Sequence, residues 1–382
     1  MRLSERSGSI AQSEIRSMTR ACNAVGGINM AQGVCDLEIP KEVIDGAKRA
    51  MDEGINTYTP TEGLPRLRQA IADKMKRFYD VAIESNQVLV SDGATGAFYT
   101  ACMALLNPLD EVILFEPYYG YHRSTLLSIG AVPTYVRLEA PQWNLDITAL
   151  EAAVTSKTRA IVICNPANPS GKVFTREELE RIGTFAESHD LIVFADEMYE
   201  HFLYDGAVHV TALSVPSLRD RCVVLSGFSK VFSITGWRLG YAIAPIHVIE
   251  AMAQLNDLIY VCAPAPLQIG AAEGLKKLGD GYYAELSRIH QHKRDLFCNA
   301  LRDAALTPSI PSGAYYVMTD VSSVVGKDDF EKAMAILERT GVASVPGRAF
   351  YHDDSGKNMV RFCYSKPLDV LEEAAEKIRK LR

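Results

Sequence analysis

Short apolar runs alternate with helical patterns through the middle of the chain, and this alternation limits the possible folds more than any other feature of the sequence. Consecutive residues in each run are aliphatic or β-branched, as in a parallel strand that helices cover on both faces. The runs lie at 87–91, 111–116, 160–164, 191–196, 222–226 and 239–244. The pattern predicts an α/β fold whose large domain has a mostly parallel central sheet covered by helices on both faces.

The length of the chain and the character of its two ends predict a second domain. The 382 residues exceed an average domain of about 150 residues. The first 40 residues or so are polar and rich in turns, and the segment after about residue 290 mixes amphipathic helices with short strand-like runs. We therefore predict a large domain at 41–288 and a smaller α+β domain built from 1–40 together with 289–382.

Composition excludes several classes of protein. Hydrophobic residues make up 48% and charged residues 23% of the chain, which is the balance of a folded globular protein. The net charge of −7 opposes binding to nucleic acid or to an anionic membrane surface. The most apolar long stretch, 241–272, is interrupted by Pro245, Glu250 and Asp257, so it predicts no membrane span.

The cysteines and the amino terminus predict a cytoplasmic location. The eight cysteines are scattered singly along the chain, which indicates reduced thiols rather than a disulfide framework. The first 17 residues are charged and lack an apolar core, so they do not resemble a secretory signal.

The candidate functional residues follow the predicted strands, at the edge of the sheet where an open parallel sheet binds its ligand. Small residues open a helix after the first run, and their free N–H groups suit an anion. A tyrosine, an amide in a double-proline turn, a carboxylate with a nearby phenol, and a lysine with a following arginine come after later runs. These residues are Gly93, Ala94, Thr95, Tyr119, Asn168, Asp196, Tyr199, Lys230 and Arg238.

Each of these residues also has an ordinary structural explanation, such as a tight turn, a helix cap or a solvated lysine. Those explanations would have to hold at five strand ends that all face one crevice. Such a coincidence is improbable, so we interpret the residues as one functional site. The sequence has no metal-ligand spacing, no dinucleotide fingerprint, no P-loop and no nucleophile elbow. A planar phosphorylated heterocycle that condenses with a lysine matches the whole set, and the residues therefore predict pyridoxal 5′-phosphate as the cofactor and no metal.

Several segments resemble the signatures of the class I aminotransferases, which are pyridoxal-phosphate enzymes of fold type I. Residues 226–240 resemble the lysine signature, 165–171 the N-P-x-N-P-[TS]-G turn, and 195–202 the D-E-x-Y strand end. Residues 28–40, 56–72 and 345–351 are similar to further blocks of the family. The similarity runs from about residue 28 to the carboxy terminus, and the blocks occur in the order that the family shows.

The resemblance implies a role for each residue that binds the cofactor. Lys230 would be the Schiff-base lysine and later the proton shuttle, and Asp196 would pair with the pyridine nitrogen. Asn168 and Tyr199 would bind the ring oxygen, and Tyr119 would stack on the ring. Many members have a serine three places before the lysine, where this chain has Gly227. The phosphate would therefore be held by Gly93, Ala94, Thr95, Arg238 and either Ser226 or Ser229.

The resemblance also implies how substrates and a second subunit bind. Arg361 would bind the substrate α-carboxylate as a bidentate fork, with help from the backbone near Gly33 and the amide of Asn168. Tyr58 would reach the phosphate of the neighbouring subunit, which implies a homodimer with shared active sites. The partners predicted in solution are amino acid and 2-oxo acid substrates, with neither nucleic acid nor membrane.

The implied activity is ping-pong transamination between an amino acid and a 2-oxo acid, with specificity of the aromatic, methionine, glutamine and kynurenine branch or a broad range. Tyr119, Tyr121 and Tyr260 either line an apolar side-chain pocket or are ordinary core aromatics. An aspartate aminotransferase, the first alternative, would need a second cation, for which the sequence offers Arg348 and His122. A C–S β-lyase is the second alternative, because the same cofactor groups serve both reactions.

Two further classes fit the sequence poorly. A transcription regulator built on this fold would need a basic DNA-binding segment, which the near-neutral amino terminus does not provide. A nicotinamide-dependent dehydrogenase would need the glycine fingerprint that the chain lacks.

Overall fold

The computed structural model describes residues 4, 7–8 and 13–381. Its strands are β1 (Ile28–Asn29), β2 (Val88–Asp92), β3 (Glu111–Glu116), β4 (Val132–Arg137), β5 (Thr158–Cys164), β6 (Ile192–Asp196), β7 (Cys222–Gly227), β8 (Leu239–Ile243), β9 (Thr307–Ser309), β10 (Tyr316–Asp320), β11 (Val342–Ala343), β12 (Val345–Pro346) and β13 (Met359–Cys363). Its helices are α1 (Glu14–Ala24), α2 (Lys41–Asp52), α3 (Pro65–Tyr79), α4 (Gly93–Leu105), α5 (Gly120–Ile129), α6 (Ile147–Ala153), α7 (Arg176–Ser188), α8 (Pro216–Arg219), α9 (Ile246–Tyr260), α10 (Ala265–Lys277), α11 (Asp280–Asp303), α12 (Asp329–Thr340) and α13 (Leu368–Arg379).

The central sheet has seven strands in the order β2-β8-β7-β6-β5-β3-β4. Strands β3 to β7 pair in parallel, whereas β8 pairs antiparallel with both β7 and β2. Because β8 alone is reversed, β2 runs in the same direction as β7. The predicted α/β fold with a mostly parallel sheet is therefore confirmed.

The sheet is covered on both faces because each strand sends alternate side chains to opposite sides. On β3, Ile113 belongs to one buried cluster, whereas Val112 and Leu114 belong to the cluster on the other face. On β6, Val193 and Phe194 divide in the same way. This double burial is the reason that these strands read as continuous apolar runs in the sequence.

Strand β4 was not among the predicted runs. It lies at the edge of the sheet and pairs only with β3 there. Its side chains are mostly half-buried, and it contains Pro133, which an edge strand tolerates. An edge strand that is not covered on both sides does not need a continuous apolar sequence, and for that reason the pattern missed it.

The carboxy-terminal part forms an antiparallel sheet in the order β12-β13-β10-β9. Strand β1 pairs in parallel with β11, which joins residues 28–29 to this part of the chain. Helix α11 crosses the predicted domain boundary between 288 and 289, and the two-domain division remains a proposal. Most of the first 12 residues, on which the expectation about a secretory signal depended, lie outside the described residues.

Within the described residues, none of the helices combines the length and the apolar character that crossing a membrane requires.

Candidate active site

The candidate site lies at the edge of the central sheet where the parallel strands end. Strands β2, β3, β5, β6 and β7 all end at this edge, and β8 begins there because it runs in the opposite direction. A cleft of about 230 Å³ opens beside these strand ends. Its lining residues are Ser13, Ile15, Arg16, Gln32, Gly33, Tyr119, Tyr121, Cys164, Asn168, Asp196, Met198, Tyr199, Lys230, Tyr316 and Arg361.

Lys230 follows β7 and directs its amine into the cleft. Its Nζ donates a hydrogen bond to the Gly33 carbonyl oxygen at 2.7 Å and lies 5.9 Å from the centre of the Tyr315 ring. Burial, together with the nearby positive charge of Arg361, lowers the pKa of Lys230 to about 8. Far more of this amine is therefore neutral near physiological pH than of an ordinary lysine, and a neutral amine is nucleophilic.

Gly33 has to be a glycine at this position. A Cβ built on it would lie 2.0 Å from the Tyr316 hydroxyl oxygen, which is far inside van der Waals contact. The backbone of the segment around Gly33 can therefore approach both Lys230 and Tyr316. The structure brings Gly33 to the cleft, where the sequence predicted it.

Asp196 ends β6 at the base of the cleft and is 8% exposed. Its Oδ1 accepts a hydrogen bond from the Met198 backbone N–H at 3.2 Å, and its Oδ2 lies 3.0 Å from His122 Nε2. His122 was a candidate cation for a distal substrate carboxylate, and that interpretation was wrong. The imidazole is engaged with Asp196 instead, in a contact between residues 74 positions apart that no local pattern indicates.

Arg361 lies on β13 and reaches the cleft from the carboxy-terminal part of the chain. Its Nη1 donates to Asn168 Oδ1 at 2.9 Å and its Nη2 to the Ala31 carbonyl oxygen at 2.6 Å. The guanidinium lies 4.4 Å from the centre of the Tyr316 ring. Its Nε is buried and, among the residues that the structure describes, has no hydrogen-bond partner. These contacts hold the Arg361 guanidinium in the cleft, and its remaining N–H groups can still donate hydrogen bonds to a carboxylate.

Two phenols meet on the same side of the cleft. The hydroxyl oxygens of Tyr199 and Tyr316 are 2.8 Å apart, and the two rings pack edge to face. Burial raises the pKa of both tyrosines, so both remain neutral donors at physiological pH. Tyr316 was not among the predicted site residues. The signal that the sequence offered for it was the strand-like run at 315–321, which does not indicate which of its two tyrosines faces the cleft.

An anion cradle is formed where β2 meets α4. The helix begins at Gly93, so the backbone N–H groups of Gly93, Ala94 and Thr95 belong to its first turn. A Cβ on Gly93, which has a φ of 68°, would lie 2.5 Å from Arg238 Nη2. The guanidinium of Arg238 therefore lies directly over the start of the helix. These donors fit a phosphate-sized anion.

Gly240 on β8 also leaves room for this cradle, because it has no side chain to crowd the start of α4. A Cβ there would lie 2.3 Å from the Ala94 backbone nitrogen. Arg238, two residues earlier, adopts a left-handed φ of 53° and donates from Nη1 to the Thr235 carbonyl oxygen at 3.1 Å. The turn before β8 therefore holds the guanidinium against the helix.

Ser226 does not reach this cradle, and the expectation that it contacts a phosphate needs correction. Its hydroxyl donates to Glu200 Oε1 at 3.0 Å and to the Glu197 carbonyl oxygen at 3.4 Å. The physical reason is the alternation of side chains along β7, which turns Ser226 into a buried polar cluster away from the cleft. Ser229, the other serine that the sequence offered, remains a prediction.

The remaining predicted aromatics fall into three places. Tyr119 and Tyr121 line the cleft with their ring centres 5.3 Å apart. Tyr260 is not among the lining residues, and its hydroxyl accepts a hydrogen bond from the Asp92 backbone N–H at 3.2 Å. Tyr58 is 82% exposed.

Arg348, the other cation considered for a distal carboxylate, does not line the cleft. Its Nε and Nη2 donate to Asp329 Oδ1 at 2.9 and 2.7 Å, and Nη2 lies 2.9 Å from Asp328 Oδ2. That interpretation was wrong because two carboxylates on and before α12 already engage this guanidinium. The cleft instead contains Arg16 of α1, which was not among the predicted site residues.

Comparisons with known proteins agree with this architecture. The family described as aminotransferase class I and II matches residues 25–378. The aspartate aminotransferase of Pyrococcus abyssi is 34% identical over 100% of this chain and 98% of its own length. The aromatic-amino-acid aminotransferase 2 of Thermococcus litoralis is 32% identical over the same shares of the two chains, 100% and 98%.

A solved structure gives the same result. The Escherichia coli protein YbdL, described as having a methionine aminotransferase function, aligns with a TM-score of 0.95 at 28% identity, over 100% of both chains. The family that the motifs predicted is therefore confirmed, and the chain belongs to the class I and II aminotransferases.

Proposed function

We propose that this aminotransferase transfers an amino group between an amino acid and a 2-oxo acid by means of pyridoxal 5′-phosphate bound in the cleft. The observation that carries the proposal is the Lys230 amine, which burial makes reactive and which lies in the same cleft as Asp196 and Arg361. A lysine of this kind, with a carboxylate and an anion cradle nearby, suits an aldehyde cofactor that carries a phosphate.

The residues that we propose to hold the cofactor are those that the family resemblance implies, and the geometry of the cleft supports them. The backbone N–H groups of α4 and the Arg238 guanidinium would bind the phosphate. Tyr119 would cover one face of the ring, and Asp196 would bind the protonated ring nitrogen. The ring oxygen would be bound by Asn168 and Tyr199.

When bound, the cofactor supplies an electron sink for the carbanion that remains when the α-proton of an amino acid is removed. Asp196 supports this role by pairing its negative charge with the protonated ring nitrogen. Arg361 binds the substrate α-carboxylate and fixes the α-carbon near Lys230. The neutral Lys230 amine takes the proton from the α-carbon of the donor. In the second half of the reaction it delivers a proton to the α-carbon of the new amino acid.

The walls of the cleft favour a broad range of side chains. Tyr121, Met198 and Ile15 offer apolar surface to a side chain bound through Arg361. The relatives carry names for aromatic amino acids and for methionine, which are substrates with apolar side chains. We therefore propose a preference for aromatic, methionine and glutamine-type donors.

A second group of substrates, the dicarboxylic acids, is favoured by Arg16. This side chain lines the cleft, and within the described residues it has no ion-pair or hydrogen-bond partner. The two cations that the sequence offered, His122 and Arg348, are both engaged elsewhere. Arg16 is thus the group we propose for the distal carboxylate of aspartate, glutamate or their oxo acids, as the aspartate aminotransferase among the relatives suggests.

We also propose a homodimer with shared active sites. Tyr58, Leu258 and Ile259 are 82%, 83% and 50% exposed. A hydrogen bond of 3.4 Å from the Thr59 backbone N–H to Cys262 Sγ ties the Tyr58 segment to the end of α9, beside the anion cradle. Exposed apolar side chains grouped next to a site are typical of a protein interface. From there Tyr58 would reach the phosphate of the neighbouring subunit.

A cytoplasmic location remains part of the proposal. The eight cysteines of the chain are all free thiols, as expected in a reducing compartment.

The experiment that tests this function is a donor and acceptor panel with the purified protein and added pyridoxal 5′-phosphate. Formation of a new amino acid only when both a donor and a 2-oxo acid are present, with parallel double-reciprocal plots, is the expected result. Release of ammonia and pyruvate from cystathionine without an oxo acid would indicate a C–S β-lyase instead. Absence of amino transfer from every donor would contradict the proposal.

A further inference from the structure

Glu116 is a buried carboxylate that the proposed reaction does not use. It ends β3 and is 1% exposed. Its Oε1 accepts hydrogen bonds from both the backbone N–H and the ring Nδ1 of His352, at 2.6 and 2.9 Å. Its Oε2 lies 3.4 Å from Arg137 Nη2. A buried carboxylate is tolerated only when such partners compensate for the lost hydration.

The His352 ring is held from the other side as well. It stacks on Tyr135 with ring centres 4.3 Å apart and an angle of 4° between the planes. Asp353, the next residue, accepts a hydrogen bond from Arg137 at 2.8 Å. Arg137 thus supplies the positive charge that these two carboxylates need, so the group does not require a metal ion.

The two sides of this contact belong to different parts of the cleft. Glu116 comes three residues before Tyr119, whose ring lines the cleft. His352 belongs to the loop 347–353, in which Phe350 lies 5.1 Å from the Arg361 guanidinium. A second contact joins the same two segments, because the Tyr118 backbone N–H donates to the Phe350 carbonyl oxygen at 2.9 Å.

The loop is also fixed to the carboxy-terminal part of the chain. The Arg348 side chain and backbone N–H bond to Asp329 of α12. The loop follows β12, which pairs with β13, the strand that carries Arg361. Through the loop, Glu116 therefore connects the end of β3 to the structure that holds Arg361.

We propose that Glu116 and His352 form a clasp that sets the spacing between the Tyr119 wall and the Arg361 wall of the cleft. They are positioning residues, which act through Tyr119, Phe350 and Arg361 and do not touch the reacting atoms. The clasp determines how well a bound amino acid meets Arg361, so its loss weakens substrate binding more than it slows the chemical step. This inference rests on the proposed function to the extent that Arg361 binds the substrate carboxylate.

The test compares three clasp variants with a control. His352→Phe keeps the ring on Tyr135 but removes the Nδ1 donor, whereas His352→Asn keeps a donor close to the position of Nδ1. Glu116→Gln keeps an acceptor for the backbone N–H but removes the charge. His189→Phe is the control, because His189 also lies 3.4 Å from a carboxylate, that of Glu151, and packs on an aromatic ring, away from the cleft.

Two measurements are made on each variant. One is KM and kcat for an apolar amino acid donor, and the other is hydrogen–deuterium exchange of residues 347–353 without added cofactor. His352→Phe is expected to raise KM about tenfold, the effect of one lost charge-assisted hydrogen bond, with kcat within about threefold of the wild type. Amide exchange of the loop should become faster. Glu116→Gln should also raise KM and speed up exchange of the loop, but by less. In His352→Asn and His189→Phe, KM and loop exchange should both stay near the wild-type values.

The clasp would be overturned by unchanged KM and unchanged loop exchange in His352→Phe, or by a fall in kcat with no rise in KM. Equal damage in His352→Asn and His352→Phe would also overturn it, because the donor would then not matter. A wild-type protein that transfers no amino group would refute the proposed function instead. In that case the exchange data would still decide whether the clasp holds the loop.

Discussion

Two buried polar regions lie side by side at the ends of β6 and β7, and they differ in how completely their charges are paired. The first is the cleft with Lys230. The second, the Lys74 cluster, consists of Lys74, Tyr79, Glu200, Ser226 and Tyr241. Lys74 donates to Glu200 and to the Tyr241 hydroxyl, and Ser226 and Tyr79 also donate to Glu200.

In the Lys74 cluster, ion pairing reverses the pKa shifts that burial alone would cause. In the cleft, the pKa shift that burial causes in Lys230 remains. Burial on its own would raise the pKa of Glu200, but the neighbouring Lys74 lowers it to about 2, and Glu200 in turn raises the pKa of Lys74. Lys230 has no carboxylate partner within the described residues, and burial lowers its pKa to about 8. A saturated ion pair is typical of a structural role, whereas a buried amine without an acid partner is available for chemistry.

The turn after β6 explains how both regions arise from one short segment. Asp196 and Tyr199 line the cleft. Glu197 follows Asp196 and Glu200 follows Tyr199, and both carboxylates point away from the cleft. Glu197 accepts hydrogen bonds from His209 and from the Ala212 backbone N–H. The buried carboxylates therefore anchor the turn that presents the two cleft residues.

The largest expected effect comes from removing the unpaired amine. Lys230→Ala should lower kcat by at least ~10³-fold, because the proton carrier at the α-carbon is lost. The free energy of unfolding of the chain without cofactor should fall by only about 1–2 kcal/mol, through the lost hydrogen bond to the Gly33 carbonyl oxygen, since no ion pair is broken. Steady-state kinetics and urea denaturation measure the two quantities. Normal amino transfer by Lys230→Ala would show that the unpaired amine of the cleft is not needed for the reaction, so the two regions would not differ in function.

The next effect concerns the carboxylate of the cleft. Asp196→Ala should retain the cofactor and lose turnover by ~10²–10³-fold, because the charge that favours the protonated ring nitrogen is gone. The exposed Asp220, at the opposite end of β7, provides a matched control. Cofactor absorbance and kcat are compared for the two alanine variants, and near-wild-type kinetics of Asp196→Ala would contradict the proposed role.

In the Lys74 cluster the expected effect is on stability. Lys74→Met should lower the free energy of unfolding by about 3–5 kcal/mol, because Glu200 is left buried without its cation. The double variant Lys74→Met, Glu200→Gln should lose less, since it removes the uncompensated charge. Urea denaturation at pH 7 measures both. Equal losses in the single and double variants would show that the pairing of charge is not what stabilises this cluster.

The smallest expected effect concerns substrate choice. Arg16→Gln should lower kcat/KM for aspartate and glutamate about tenfold, the effect of one lost hydrogen bond to a charged group, and leave methionine nearly unchanged. Arg20→Gln, one turn further along the exposed side of α1, serves as the control. Equal changes for methionine and for the dicarboxylic donors would place Arg16 outside the substrate site.

Much of the fold was predictable because its signal is local. Strands buried on both faces, such as β5 and β6, must be apolar throughout, and so they stand out in the sequence. Strand β4 did not stand out, because most of its side chains are only half-buried. The reversal of β8 was equally invisible, since an apolar run carries no information about strand direction.

The candidate site was predictable where short motifs carry it and not where distant residues meet. Lys230, Asp196 and Asn168 lie within motifs at strand ends, and the structure brings all three to one cleft. The contact of His122 with Asp196 and the orientation of Ser226 depend on tertiary packing. The same holds for Glu116, whose partner is 236 positions away.

Everything proposed for the cleft depends on a covalent bond between the Lys230 amine and pyridoxal 5′-phosphate, and chemical trapping detects that bond. The purified protein is incubated with the cofactor, reduced with borohydride and digested, and the labelled peptide is identified by mass spectrometry. We expect label on Lys230 alone, with a rate of uptake that rises with pH around 8, where this amine loses its proton. Label on Lys74 or on exposed lysines, with Lys230 unmodified, would show that Lys230 is not the residue that binds the cofactor.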